Sequence, residues 1–160
     1  MNLEAFAVEW TEWLVHLTLF WEPDARKKGR ILRSFHHFVM HALLVMIVVS
    51  HTIYPAFWLQ TVVLGICILI WVQHVTTNGC VVSKVEQKLI GDTESFVDPI
   101  LELFGVTPSR EISIAVVVLG SSVFVFLLSM EWIARVAHKA VPFLKAALVT
   151  SGSVLPQMLA

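Results

Sequence analysis

Between Arg33 and Lys84 the chain carries no Asp, Glu, Lys or Arg, so 50 consecutive residues, Ser34 to Ser83, must be housed without a formal charge. A helix that crosses the hydrocarbon of a bilayer needs about 20 apolar residues. The run is too long for one crossing and suits two. Tyr54 and Pro55 divide it, which predicts spans over about Phe35 to Ile53 and Phe57 to Val75, joined as an antiparallel hairpin. A third span is expected from Ile112 to about Ile133, because nothing charged stands between Glu111 and Glu131.

Composition agrees with this reading. Hydrophobic residues make up 57% of the 160 and charged residues only 14%, and mean hydropathy is +0.78, whereas an ordinary soluble domain carries about 25% charged residues. Eleven Lys and Arg against 12 Asp and Glu give a net charge of -1, so no basic surface points to nucleic acid. The fold class expected is all-α: a polytopic helical membrane protein with three transmembrane helices, an N-terminal amphipathic interfacial helix and short surface helices. Residues 1-160 read as one membrane domain, with no internal repeat and no flexible linker. The N-terminus has an acidic residue, Glu4, where a secretory signal needs basic ones, so it is expected to stay in the mature protein.

Residues 2-21 place Phe6, Trp10, Trp13, Leu14, Leu17 and Trp21 on one helical face, with Glu9, Glu12 and His16 on the others. The aromatic stripe suits a helix lying among lipid headgroups. Such helices are usually basic and this one is acidic, so packing against protein competes with that reading. A basic collar follows, with Arg26, Lys27, Lys28, Arg30 and Arg33 ahead of the first span. In the connector, residues 76-110, Ser83 with Glu86 forms a capping-box pattern, and Asp98 before Pro99 starts a second short helix that Gly105 can end. Both helices are expected on the membrane surface. The apolar stretch 141-160 is interrupted by Pro142, Gly152 and Pro156, and reads as a tail or a fourth segment. Eight Lys and Arg (26, 27, 28, 30, 33, 84, 88, 110) lie at one set of span ends and three (135, 139, 145) at the other. The positive-inside rule therefore puts the N-terminus in the cytoplasm.

Ionisable groups inside a bilayer are costly, and each is a functional hypothesis by default. On the first span His37, His41 and His51 share a face within an arc of about 80°, taking about 100° per residue. His37 and His51 are about 21 Å apart at 1.5 Å per residue, so they mark two depths. Depth-matching the hairpin brings His74 level with His36 and His37, and the trio His37, His41 and His74 is the candidate cofactor or metal site. Two imidazoles at i, i+4 with a third from a neighbouring helix suit zinc or copper. One His from each of two helices suits the axial positions of a haem b. Near the other face Glu131 matches His51 in depth, so His37, His41, His51 and Glu131 form a candidate proton or ion pathway.

The bland readings stand beside these. His36 and His41 can sit among headgroups or bond backbone, His51 can cap a helix end, and Glu131 can pair with Arg135 one turn on. Gly65, Gly120, Ser121 and Ser122 read as close helix packing. Glu86, Asp92, Glu94, Asp98 and Glu102 read as a solvated face, and Cys67, Cys80 and Gln73 add little. No P-loop, dinucleotide fingerprint, His-Glu-x-x-His or Gly-x-Ser-x-Gly motif occurs, and no nucleophilic triad rises above chance in the spacing. No hydrolase is expected, and activity of the chain on its own is the lesser expectation.

Cys80, Ser83 and Glu86 after a span ending in His74 match a Cys-x-x-Ser/Thr-x-x-Glu signature. The stretch His36 to Leu89 thereby resembles a family of small, uncharacterised polytopic membrane proteins of bacteria and large DNA viruses. Val81 stands where the bacterial form often has Pro. The resemblance implies a fold and a membrane location but no activity. A looser similarity is to the cytochrome b anchor subunits of succinate dehydrogenase, whose Arg and His motifs are not reproduced here. Three functions follow: a membrane anchor or accessory subunit whose histidine cluster holds a haem or transition metal; a small homo-oligomeric channel or proton pathway lined by His and Glu; and, ranked last because carboxylates at matching depth are scarce, a membrane-embedded enzyme using the histidine cluster with a metal. The partners expected are the lipid bilayer and either further copies of the chain or a larger membrane complex.

Overall fold

The structure, a computed structural model, describes the backbone of residues 2-154 and the side chains of residues 2-142. Among the described residues there are six α-helices and one π-helical turn, and no strand. The helices are α1 (Leu3–Thr18), α2 (Ala25–Val48), α3 (Phe57–Thr76), α4 (Val81–Ile90), α5 (Asp98–Leu103) and α6 (Arg110–Val154), with the π turn at Val49–Ile53. Three helical stretches, Ala25–Ile53, Phe57–Thr76 and Arg110–Pro142, are long and apolar enough to cross a membrane. The chain is a membrane-associated helical protein, as its sequence pattern implies.

The first spanning helix starts well before Phe35. Asp24 caps it, its Oδ1 accepting from the Arg26 N–H at 2.8 Å and the Lys27 N–H at 3.3 Å. The basic collar therefore rides on the first turns of α2. At the other end of α2 the ladder widens, and the Tyr54 N–H donates to the Val49 carbonyl at 2.8 Å. α4 also starts earlier than the capping box predicts. Cys80, not Ser83, is its N-cap residue, and Gly91 ends it at φ +82°, a left-handed position that suits glycine. α5 follows the Asp98-Pro99 signal, and Gly105 beyond it takes φ +72°.

Two compact units are present, Met1–Val125 and Phe126–Ala160. In the first, α4 packs between α1 and α2. Val15 of α1 joins Val81, Val85 and Leu89 of α4 in a buried cluster edged by Ala7, Val8, Leu19 and Leu32. The aromatic stripe of α1 is on its opposite face: Phe6, Trp10, Trp13, Leu17 and Trp21 are exposed, Phe6 to Trp10 and Trp10 to Trp13 in ring contact. Packing against protein, one of the two readings of α1, holds for the Val15 face, and the aromatic face is left exposed. α2 approaches α4 closely at Gly29, where an added Cβ would meet Ile90 Cγ1 at 2.6 Å, Leu89 Cβ at 3.0 Å and the Ile90 backbone nitrogen at 3.1 Å. Gly65 and Gly120, expected at close contacts, have no neighbour within 4 Å of such a Cβ.

In the second unit, Glu131 accepts from Arg135 Nη2 at 2.6 Å and from Nε at 3.0 Å, the intrahelical pair expected from the sequence. Phe126, Leu127, Met130 and Ile133 are exposed. The stretch 141-160 falls largely outside the residues whose side chains are described; its backbone continues α6 through Pro142 to Val154.

Candidate functional site

The site forms where α3 hands over to α4. Asn78 (φ +50°) and Gly79 (φ +108°) turn the chain through left-handed backbone. Gln73, which the sequence gave no role, fixes this turn: its Nε2 donates to Thr77 Oγ1 and to the Gly79 carbonyl, both at 2.8 Å. Lys84 closes the turn from outside, donating to the Thr77 carbonyl and pairing with Glu4 of α1 at 2.5 Å. Cys80 emerges at the head of α4, held toward α2 and α3.

Glu86 sits on α4 with only 1% of its surface exposed. A carboxylate cannot be buried at that depth without partners. Its Oε2 meets His36 Nδ1 of α2 at 3.3 Å and its Oε1 faces Arg33 Nε at 3.7 Å, an ion pair without a hydrogen bond. Arg33 is turned outward by a two-pronged contact, Nη2 to Asp92 Oδ1 at 2.7 Å and Nη1 to Asp92 Oδ2 at 3.0 Å, and reaches exposed Glu94 at 3.3 Å. On its other side His36 presents Nε2 to Cys80 Sγ at 3.6 Å. His74 of α3 also faces the thiol, while its Nδ1 lies 3.3 Å from Ser121 Oγ of α6. A polar run thus leads from Glu94 at the surface through Arg33, Glu86, His36 and Cys80 to His74 and Ser121.

The charges act on one another. Burial pushes the Cys80 thiol up, but hydrogen bonding from His36 and His74, the charge of His36 and the Ser83 N–H outweigh it and bring the thiol down to about 5. The Ser83 N–H faces the sulfur without closing a full cap hydrogen bond. Lowered thiol pKa values are typical at helix N-termini and beside histidines. Asp92 is held below the usual carboxylate range, first by its hydrogen bond from Arg33, against a smaller opposing effect of burial.

The sequence-predicted trio is not assembled. His37 and His41 both stand edge-on to Phe96, at ring-centroid distances of 5.2 and 6.0 Å, and His41 Nδ1 is occupied by the His37 carbonyl at 2.6 Å. His74 turns instead to Ser121 and Cys80. Among the described residues no group of three or more His, Cys, Asp or Glu side chains is placed to hold a metal ion. Matching depth along two helices leaves the rotation of each helix free. His51 bonds its own turn, Nδ1 to the Ile47 carbonyl at 2.8 Å and to Ser50 Oγ at 2.9 Å, and Glu131 belongs to the second unit with Arg135.

Two other readings are corrected. His36, expected among headgroups, is buried on Glu86 and Cys80. The connector acids are not one solvated face: Glu86 is buried, Asp92 holds Arg33, and Asp98 accepts from Ser113 Oγ at 2.7 Å and from the Ser95 N–H at 2.7 Å, while Glu94 is 79% exposed. One signal for Glu86 was in the sequence. Val81, Val85 and Leu89 form the apolar stripe of α4, and Glu86 borders it, three residues before Leu89. Ser121 and Ser122 also do more than pack, since Ser122 Oγ accepts from Trp71 Nε1 at 2.8 Å.

Beside the polar run lies an apolar cleft of about 350 Å³ between α2, α3 and α6. His36, His74 and Cys80 form part of its wall, and Leu43, Leu44, Ile47, Val116 and Phe124 line the remainder. Compared with protein-family models, with curated proteins and with solved structures, the chain matches none.

Proposed function

We propose that the chain is an intramembrane proton pathway, working as a homo-oligomer, in which Glu86 and His36 pass protons between the aqueous boundary and the interior of the bilayer. The observation that carries this reading is the run of contacts from Glu94 through Arg33, Glu86 and His36 to Cys80, His74 and Ser121. Imidazole suits such a relay because it gains and loses a proton near neutrality. A second polar station, Ser50, His51 and Gln60, stands about 21 Å further along α2 by helical rise, past the buried apolar residues Leu43, Ile47 and Val63. The cleft runs alongside that apolar gap, and a further copy of the chain facing it supplies the wall of a passage. The count of basic residues supports an N-terminus in the cytoplasm. The likeness to small polytopic membrane proteins supports the same site, since its Cys80 and Glu86 both contact His36.

The test is proton flux into proteoliposomes under a potassium diffusion potential, read with an internal pH dye. Glu86→Gln and His36→Gln are expected to cut the flux by roughly 10²-fold, and His51→Ala by less. Wild-type flux equal to that of empty liposomes refutes the reading. A second reading, an anchor or accessory subunit of a larger complex, is favoured by the exposed Phe6, Trp10, Trp13 and Trp21 of α1. Its mark is a partner that co-purifies with the wild type and is lost in Trp10→Ala/Trp13→Ala.

A further inference from the structure

Proton transfer alone gives Cys80 no purpose, since a serine would fill its place in a polar run. The surroundings of the sulfur are those of a nucleophile. His36 Nε2 stands 3.6 Å from Sγ, and Glu86 Oε2, 3.3 Å from His36 Nδ1, fixes the tautomer and ring angle of that imidazole. This is the order of groups that activates a cysteine: nucleophile, base, and an acid that orients the base. Sequence spacing hid it because His36 is 44 residues before Cys80 and 50 before Glu86.

Two further observations bear on what the sulfur attacks. Cys80 lies on two cavities at once. One is the apolar cleft of about 350 Å³, within the size range of small-ligand pockets, about 300–1,000 Å³. The other is a small crevice in which Ser83, Lys84, Gln87 and Arg110 stand beside the apolar Ile114 and Val117. A substrate with its reacting carbon at Sγ therefore has an apolar arm on one side and a polar group on the other. The first-turn amides of α4, beginning at Val81, have no intrahelical carbonyl to bond, and such donors suit an oxyanion formed beside the sulfur.

We propose that Cys80 takes a long-chain acyl group from an acyl thioester, with the chain in the apolar cleft, His36 as proton partner and Glu86 as its positioning residue. The proposal rests on the proton-handling reading of His36 and Glu86 but needs no proton to cross the bilayer. Sγ, as thiolate, bonds to the carbonyl carbon while the carbonyl π pair moves to oxygen. The pair returns, the donor's own C–S bond breaks, and the departing thiolate takes the proton from His36 Nε2. Donor thioester and Cys80 thiol thus become Cys80 thioester and free donor thiol, with no oxidant or reductant.

The experiment uses the full chain in detergent micelles, where no gradient exists, so failed labelling and failed flux are separate outcomes. The probe is palmitoyl-coenzyme A, with acetyl-coenzyme A for comparison. Intact mass should rise by one palmitoyl group, peptide mapping should place it on Cys80, and neutral hydroxylamine should remove it. Acetyl transfer should be at least about tenfold slower, and His36→Gln should slow palmitoyl transfer by roughly 10²-fold. No adduct, an adduct on Cys67, equal rates for the two probes, or an unslowed His36→Gln each overturns the proposal. An independent measurement on the wild type guards against a misfolded variant: alkylation of Cys80 by iodoacetamide should be half-maximal near pH 5. A midpoint at the ordinary thiol value of about 8.5 overturns it.

Discussion

The two ends of α2 solve the same problem in opposite ways. At the Arg33 end, polar groups are buried against partners from distant sequence: Arg33 holds Asp92 across 59 residues and His36 holds Glu86 across 50. At the Ser50 end, the partners are local. Ser50, wholly buried, donates to the Ile47 carbonyl at 3.0 Å, and the π turn frees the Ser50 carbonyl to accept from Gln60 Nε2 at 2.9 Å. An arrangement of near neighbours satisfies backbone groups and asks of the tertiary fold only that α3 fold back on α2. A long-range one couples charge to the packing of three helices, and that is where a chemical site can be tuned.

That contrast puts the largest expected effect at Glu86. Glu86→Ala leaves Arg33 and His36 without their buried partner and should cost about 3–5 kcal/mol, read as denaturant or thermal unfolding in detergent. A cost no greater than that of a change at Gln60 would erase the difference between the ends. Gly29→Ala comes next. The methyl gains up to about 1 kcal/mol of helix propensity but must push back Ile90 and Leu89, including backbone, so a net loss of about 1–3 kcal/mol is expected. Because Gly29 precedes Arg33 on α2, the same variant should also raise the alkylation midpoint of Cys80.

Smaller changes sharpen the other side. Gln60→Leu loses the bond to Ser50 but also removes Gln60 Oε1, which is buried without a hydrogen bond. The balance should lie within about 1 kcal/mol of wild type. Smallest is the acid limb of stability. Asp92 is held low by Arg33, so its contribution is present above the ordinary carboxylate range and lost as pH falls through its depressed value. Asp92→Asn should flatten that part of an acid unfolding curve and leave the neutral range nearly unchanged; an unaltered acid limb would mean the pair stabilises nothing.

What the sequence revealed divides along the same line. Charge-free length located the spans, the Asp98-Pro99 pair located α5, and the spacing of Glu131 and Arg135 located their pair, because each is a local property. Depth along a helix can be counted too, and the count sets His74 level with His36 and His37. The angle of α3 about its own axis was invisible, and it is that angle that turns His74 to Cys80 and Ser121. Glu86 was read as solvated because charged residues in connectors usually are. Only the folding of α4 between two helices makes its neighbour Val85 a core residue and Glu86 an interior acid.

That neighbour relation limits how α4 can move. Val85 is buried against α1 while Glu86 is buried against α2, so turning α4 to release the acid to water would drag the valine out of its own contact. The helix has no free rotation. A charge locked in place this way can alter its state by trading a proton far more readily than by changing its position.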